Sequence, residues 1–274
     1  MKKNLILVMV LLLAVAVMFT GCGDKKADAE VETFKVGMEA GYPPFNWTQT
    51  GDANGAVKID GSPEFAGGYD VEIAKKIAEG LGKELVIVKT EWDGLVPALV
   101  SGKIDAIIAG MSPTAERKET IDFSDNYYKS DLIMVVLKDG EYAEATTIAD
   151  FAGAKITAQL NTFHYSVIDQ IEGVEKETAM DNFPAMRVAL ESGMIDGYVS
   201  ERPEGISAQA ANEKFKVVEF TDGFATSDDD TAIAVGLRKD SELTTKINEV
   251  LAGISLEEQI TIMEDAIKNQ PAAN

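Results

Sequence analysis

The sequence predicts an α/β protein built from two similar lobes, each a mostly parallel sheet flanked by helices. Two observations carry that expectation. The first is the stretch 94–128. Leu95, Ala98, Leu99 and Val100 form a short apolar stripe, with Asp93 placed to cap the helix start and Ser101-Gly102 to stop it. Ile104 to Ala109 is then a nearly continuous apolar run, as suits a strand buried on both faces. The second observation is repetition. Ala98-Leu99-Val100-Ser101-Gly102-Lys103-Ile104-Asp105-Ala106-Ile107-Ile108 returns 91 residues later as Ala189-Leu190-Glu191-Ser192-Gly193-Met194-Ile195-Asp196-Gly197-Tyr198-Val199. Six of the eleven positions are identical, and both copies read as helix, Ser-Gly turn and buried strand. Two such units far apart imply two lobes of like construction.

A chain of 274 residues can bury a substantial core, and 46% hydrophobic with 26% charged residues is an ordinary globular composition. The net charge of −21 is not ordinary. It argues against nucleic-acid binding, which needs a positive footprint. Steering of cationic solutes is one reading of so acidic a surface, and simple solubility is the plainer one. Lys2-Lys3 followed by the apolar run Leu5–Phe19 reads as a signal peptide over 1–21, shorter than the roughly 20 apolar residues of a spanning helix. Phe19-Thr20-Gly21-Cys22 resembles a lipobox, and Cys22 is the only cysteine, which implies a lipid anchor and excludes a disulfide. The alternative is an uncleaved membrane anchor. Residues 22–30 read as a flexible tether.

The elements follow in order. Phe34–Met38 is a first strand, with Glu39 and Tyr42 at its carboxyl edge. Gln49–Phe65 is rich in Gly, Asp, Asn and Ser and reads as a surface loop or hairpin. Asp70 is a candidate N-cap for a helix with Val71, Ala74, Ile77, Ala78 and Leu81 on one face and Gly82 at its end. Leu85–Val88 is the next strand, and Trp92 follows it. After the 104–109 strand come Gly110, Ser112, Thr114 and Arg117, hydroxyls and a guanidinium well placed to hold an anion beyond a strand end. Leu132–Leu137 is expected to carry the chain into the second lobe and Val217–Phe220 to bring it back. Lys155–Ala158 is a strand, and Asn182 is a cap for the second repeat helix. Ile233–Gly236 rejoins the first lobe, and Leu243–Ile267 is helical with a break near Gly253. His164, the only histidine, reads as a surface residue at a helix start. At the end of the second repeat strand stands Glu201, where the first copy has Gly110. A cation at one strand edge and an anion at the other suit a zwitterion.

Thr114-Ala115-Glu116-Arg117 followed by Ile121-Asp122-Phe123-Ser124-Asp125-Asn126-Tyr127-Tyr128 resembles the T-x-x-R…DFSxPYY signature of family 3 extracellular solute-binding proteins, with Asn126 in place of proline. The resemblance extends from Val36 to the last helix. It implies a type II periplasmic-binding-protein-like fold with two hinge crossings, lobe 1 over 31–128 and 224–274 and lobe 2 over 131–223. It further implies that Arg117, helped by Ser112 and Thr162, binds a ligand α-carboxylate and that Glu201 binds the α-ammonium. Glu39 would touch the ligand side chain, with Trp92 and Tyr42 as cleft aromatics. Asn161 and Phe163 stand where the family commonly has Gly and a second hydroxyl, so carboxylate contacts from that lobe are thinner.

Other chemistries find no support. No GxGxxG or P-loop motif is present, one His and one Cys make no typical transition-metal or Cys-His site, and no nucleophile elbow exists. No cofactor and no metal are expected. The resulting expectation is a monomeric, lipid-anchored receptor on the outer face of the cytoplasmic membrane. It would take a polar amino acid, arginine or lysine before glutamine or histidine, to an ABC permease. The alternatives are an exported dehydratase-like enzyme on the same fold and a ligand sensor for a membrane receptor.

Overall fold

The structure, a computed structural model, describes residues 32–271. The expected signal peptide, Cys22 and the tether to residue 30 lie outside them. Strand β1 (Thr33–Met38) alternates exposed and buried residues before ending in three buried ones. Short strands β2 (Gly41–Tyr42), β3 (Asn46–Gln49), β4 (Val57–Lys58) and β5 (Phe65–Gly67) then form a small antiparallel sheet in the order β2-β3-β5-β4. The stretch 49–65 is thus a hairpin-like excursion rather than a bare loop.

Helix α1 (Tyr69–Leu81) ends at Gly82 in the left-handed region, as its sequence implies. Its start differs from expectation: the N-cap place falls to Gly68, at φ 120°, where any side chain would collide with the Phe45 carbonyl. Asp70 is instead fully buried and accepts hydrogen bonds from Asn46 Nδ2 (2.8 Å) and the Tyr127 hydroxyl (2.7 Å). Burial outweighs those bonds and raises its pKa to about 7.

The chain continues through β6 (Glu84–Lys89), α2 (Leu95–Val100), β7 (Ala106–Ile107), α3 (Ala115–Thr120) and β8 (Asp122–Lys129). The regular part of the 104–109 run is only two residues long, although Ile104, Ile108 and Ala109 are buried with it. Asp93 does not cap α2; Gly94 stands at that position. Beyond the first crossing lie β9 (Leu132–Leu137), β10 (Lys155–Thr157), α4 (Phe163–Val167), β11 (Glu175–Lys176), α5 (Phe183–Glu191), β12 (Gly197–Glu201), α6 (Arg202–Ala211) and β13 (Phe215–Val218). Asn182 caps α5 by accepting from Ala185 N at 3.0 Å. Strand β13 does not cross back, as expected for 217–220, but pairs with β9 at the edge of the second sheet. The return occurs after it, before β14 (Ala232–Leu237), and the two crossings meet where Ser130 N donates to Thr231 O (3.0 Å). Helices α7 (Leu243–Ala252) and α8 (Leu256–Asn269) complete the chain on either side of Gly253.

The two five-stranded sheets share one topology, β6-β1-β7-β14-β8 and β11-β10-β12-β9-β13. In each, four strands run one way and only the strand that follows a crossing, β14 or β9, runs against them. Apolar packing covers both. One cluster extends from the first sheet through Tyr42 and Phe183 onto one face of the second; another, around Met134, Phe151, Ile156 and Val199, covers the second sheet's other face. Among the described residues, no helix is long and apolar enough to cross a membrane.

Candidate functional site

The strand ends of both sheets converge between the lobes. Arg117 lies on α3, whose start is fixed by Thr114 Oγ1 accepting from the Arg117 amide (3.4 Å). Its guanidinium donates to the carbonyls of Ser112 (3.0 Å) and Asn161 (3.1 Å), the second across the cleft, and lies 5.0 Å over the Trp92 ring. Burial lowers its pKa to about 10, so it keeps its charge at neutral pH. Trp92, expected as a platform for a ligand side chain, serves Arg117 first. Asn161, at φ 54°, donates Nδ2 to Asp93 (2.9 Å) and holds this side of the cleft together.

On the second sheet, Glu201 ends β12 and is only 1% exposed. The Tyr42 hydroxyl donates to its Oε2, while Oε1 has no hydrogen-bond partner. Tyr42 thereby crosses from one lobe to the other, and its ring stacks on Phe183 at 4.2 Å and 13°. Gly110 makes this possible: it sits at φ 62°, and a Cβ there would come within 2.6 Å of the Tyr42 ring. Its amide points inward, to the Tyr127 hydroxyl (3.3 Å), rather than to the cleft.

The two expected hydroxyls are committed within the chain. Ser112 Oγ donates to the Asp230 carbonyl (2.9 Å), and Thr162 Oγ1 to the Gln159 carbonyl (2.7 Å). Glu39, expected to touch a ligand side chain, accepts from Gln159 Nε2 across the lobes (3.1 and 3.4 Å). Desolvation, the larger effect, raises its pKa to about 7 against that hydrogen bond.

Tyr42, Trp92, Gly110, Ser112, Arg117 and Thr162 line one chamber, together with Gln159, Phe163, His164 and Phe183. Its volume is about 10 Å³, room for a single water-sized group. A cleft of about 800 Å³ beside it shares Trp92, Arg117, Thr162 and Phe163. Glu201 is not on the chamber wall but adjoins it through Tyr42 and His164. Glu39 lines a separate recess with Lys89 and Asn182. His164 is a correction: it starts helix α4, yet it is buried, with Nε2 3.6 Å from Glu201 Oε1. Gln159 and Phe183 escape a sequence reading, although the placement of Gln159 just after a strand and three residues before Thr162 is a usable signal.

Arg117 lines the chamber from one lobe and the buried carboxylate of Glu201 adjoins it from the other, a cation and an anion whose pairing suits a zwitterion. The sequence profile of the bacterial extracellular solute-binding proteins, family 3, matches residues 34–266. The chain belongs to that family. It is 33% identical over 192 residues to a probable histidine-binding protein of Campylobacter jejuni, covering 70% of this chain and 69% of that protein. It is 28% identical over 270 residues to the arginine-binding extracellular protein ArtP of Bacillus subtilis, covering 92% of each. The fold superposes on an amino acid ABC transporter substrate-binding protein from Streptococcus pneumoniae bound to L-arginine, with a TM-score of 0.76 at 27% identity. That match covers 86% of this chain and 94% of the other.

Proposed function

We propose that this family member is a receptor that captures a polar amino acid, a basic one by preference, between its lobes and hands it unchanged to an ABC importer. The opposed charges of Arg117 and Glu201 carry the reading. The α-carboxylate takes the two donors of Arg117 now spent on the Ser112 and Asn161 carbonyls. The α-ammonium goes to Glu201, on the other lobe, so that one ligand bridges both and favours the closed form. Binding requires the approximately 10 Å³ chamber to enlarge, and the interlobe contacts of Tyr42 and Gln159 are what must give.

Preference for a basic side chain rests on Glu39. A cationic head displaces Gln159 from the carboxylate and compensates a buried negative charge that Gln159 alone leaves partly ionised at neutral pH. The histidine- and arginine-binding relatives support the same class. Lobe boundaries at 31–128 with 224–274 and 131–223, the lipid anchor at Cys22, the monomeric state and the absence of a chemical step belong to this proposal. Calorimetric titration with arginine, lysine, histidine and glutamine tests it. We expect one-to-one binding, tightest for arginine or lysine, with the ligand recovered intact by mass spectrometry. Glutamine bound tightly while arginine and lysine are ignored ends the basic-ligand reading; converted ligand ends the receptor reading. Cys22→Ser should release the protein or leave its precursor uncleaved, and normal processing with full membrane retention removes the anchor.

A further inference from the structure

We propose that Gln270, the residue that follows the last helix, is a strap that joins the lobes at a second point and confines their motion to opening and closing, an inference that rests on the receptor reading above. Helix α8 packs on α1 of the first lobe, where Lys76 Nζ pairs with Glu258 at 2.5 Å. It ends at Asn269, and Gln270 leaves it in an extended conformation (φ −57°, ψ 147°). The Gln270 side chain then bonds twice to the second lobe. Its Oε1 accepts from the Ser207 hydroxyl on α6, and its Nε2 donates to the Ser207 carbonyl at 3.1 Å. Ser207 is fully buried and also receives Arg187 Nη2 at 3.4 Å, from the guanidinium that holds the buried Glu204. The strap is thus fastened to the second lobe's ionic network rather than to a surface side chain. Pro271 continues into the recess beside Glu39, which Pro43 of the first lobe and Asn182 of the second both line.

The place of the strap decides what it does. The crossings meet at Ser130 and Thr231, and α6 starts beside them, the Arg202 amide donating to the Asp131 carbonyl at 3.0 Å. Ser207 lies about 7.5 Å further along that helix, at 1.5 Å per residue. Lobes joined at the crossings alone can twist and tilt as well as close. A second attachment a short way along α6 leaves rotation about the line through both, which is hinge closure.

Neither Gln270 nor Ser207 lines the chamber or the cleft beside it, so the strap acts on every ligand alike. It reduces the conformational freedom that the ligand-free receptor loses on closing. Binding is thereby favoured without any added contact.

The test compares wild type with Gln270→Ala, Ser207→Ala, the double variant and a chain ending at Asn269. Each is studied by small-angle scattering without ligand and by calorimetric titration with L-arginine and L-lysine. Glu264→Ala, an exposed change on the same helix, is the control. We expect Gln270→Ala and the shortened chain to show, without ligand, a larger radius of gyration and a broader distance distribution, with circular dichroism unchanged. Both should bind the two amino acids roughly five- to tenfold more weakly, the loss appearing in the binding entropy. The ratio of the two affinities should stay as in wild type, and saturating arginine should restore the wild-type profile. Ser207→Ala, which keeps the carbonyl acceptor, should do less, and the double variant no more than Gln270→Ala alone. Ligand-free scattering that matches wild type overturns the inference, as do unchanged or tightened affinities or an altered arginine-to-lysine ratio. A shortened chain that fails to fold leaves the decision to the point variants. A wild type that binds neither amino acid ends the basic-ligand reading, and the ligand-free scattering then decides for or against the strap by itself.

Discussion

The two lobes are the same local construction carrying different cargo. In the first, Asp105 Oδ2 accepts from Lys35 N (3.0 Å) and the Asp105 amide donates to Lys35 O (2.7 Å). In the second, Asp196 Oδ2 accepts from Lys155 N (2.8 Å) and its amide donates to Lys155 O (2.8 Å). The turn before each aspartate closes in one way: Lys103 N to Ala98 O and Met194 N to Ala189 O are both 2.9 Å, with Gly102 at φ 77° and Gly193 at φ 73°. This turn, which clamps a helix and two parallel strands, demands small, left-handed and acidic residues at fixed spacing, and those are the positions the copies retain. Beyond the strand the copies part. The first continues into Gly110 and the loop to Arg117, the second into Glu201 and helix α6. Where Gly110 and Glu201 correspond, Tyr42 touches both. Counting from Lys35 and Lys155, Glu39 and Gln159 also correspond, and they bond to each other. A duplicated frame therefore brings equivalent strand ends face to face, and their divergence makes the cleft asymmetric in charge.

The largest expected difference lies inside the helices of the repeat. Val96 of α2 corresponds to Arg187 of α5, while their apolar neighbours Leu95 and Met186, and Leu99 and Leu190, are alike buried. Arg187 binds Glu204 through Nε (3.0 Å) and Nη2 (2.7 Å), Glu204 is fully buried, and Tyr198 also donates to it (3.1 Å). Arg187→Ala strands that carboxylate and should destabilise by about 3–5 kcal/mol in urea unfolding. Val96→Ala, which trims a partly buried side chain, should cost about 1 kcal/mol. Similar costs for the two would mean that the second lobe does not depend on its ionic network.

Next come the clamps themselves. Asp105→Ala and Asp196→Ala each remove an acceptor from a strand-start amide, and each should cost about 1 kcal/mol. Asp105 also receives Arg238 Nη2 at 3.4 Å, a contact between half-exposed groups that adds little. Costs that differ by more than twofold would break the equivalence of the two turns.

A pH-dependent effect concerns Glu39, the acidic member of the Glu39–Gln159 pair. Its folded-state pKa is raised from 4.5 to about 7, so its stabilising contribution is complete below pH 4.5 and is lost as pH rises through about 7. Glu39→Gln removes that loss. The variant should match wild type near pH 4 and melt distinctly higher at pH 8, since a rise of this size is worth about 3 kcal/mol once the carboxylate is ionised. A stability gap independent of pH would show that Glu39 is not ionised at the expense of folding.

The turn was legible in the sequence because its chemistry tolerates few residues. The kinship of β1 and β10 was not: Phe34-Lys35-Val36-Gly37 and Ala154-Lys155-Ile156-Thr157 share only a lysine, since buried strands accept any apolar residue of suitable size. Arg117 and Glu201 stand out in the sequence because charge at a strand end is conspicuous. His164 and Gln159 were misjudged or missed because a single polar residue at a helix start or strand end looks the same whether it faces water or another lobe. Only the pairing of lobes decides that. Asp70 shows the same failure, read as a cap from its place before an apolar helix and found buried against Tyr127.

The claim that a zwitterion is held between Arg117 and the opposite lobe is tested most directly by comparing arginine with agmatine, which lacks the carboxylate, on wild type and on Arg117→Ala. Wild type should prefer arginine by two orders of magnitude or more, the equivalent of about 3 kcal/mol. In Arg117→Ala that preference should shrink to within a few-fold. A preference that persists undiminished without the guanidinium would place the carboxylate elsewhere and contradict the assignment.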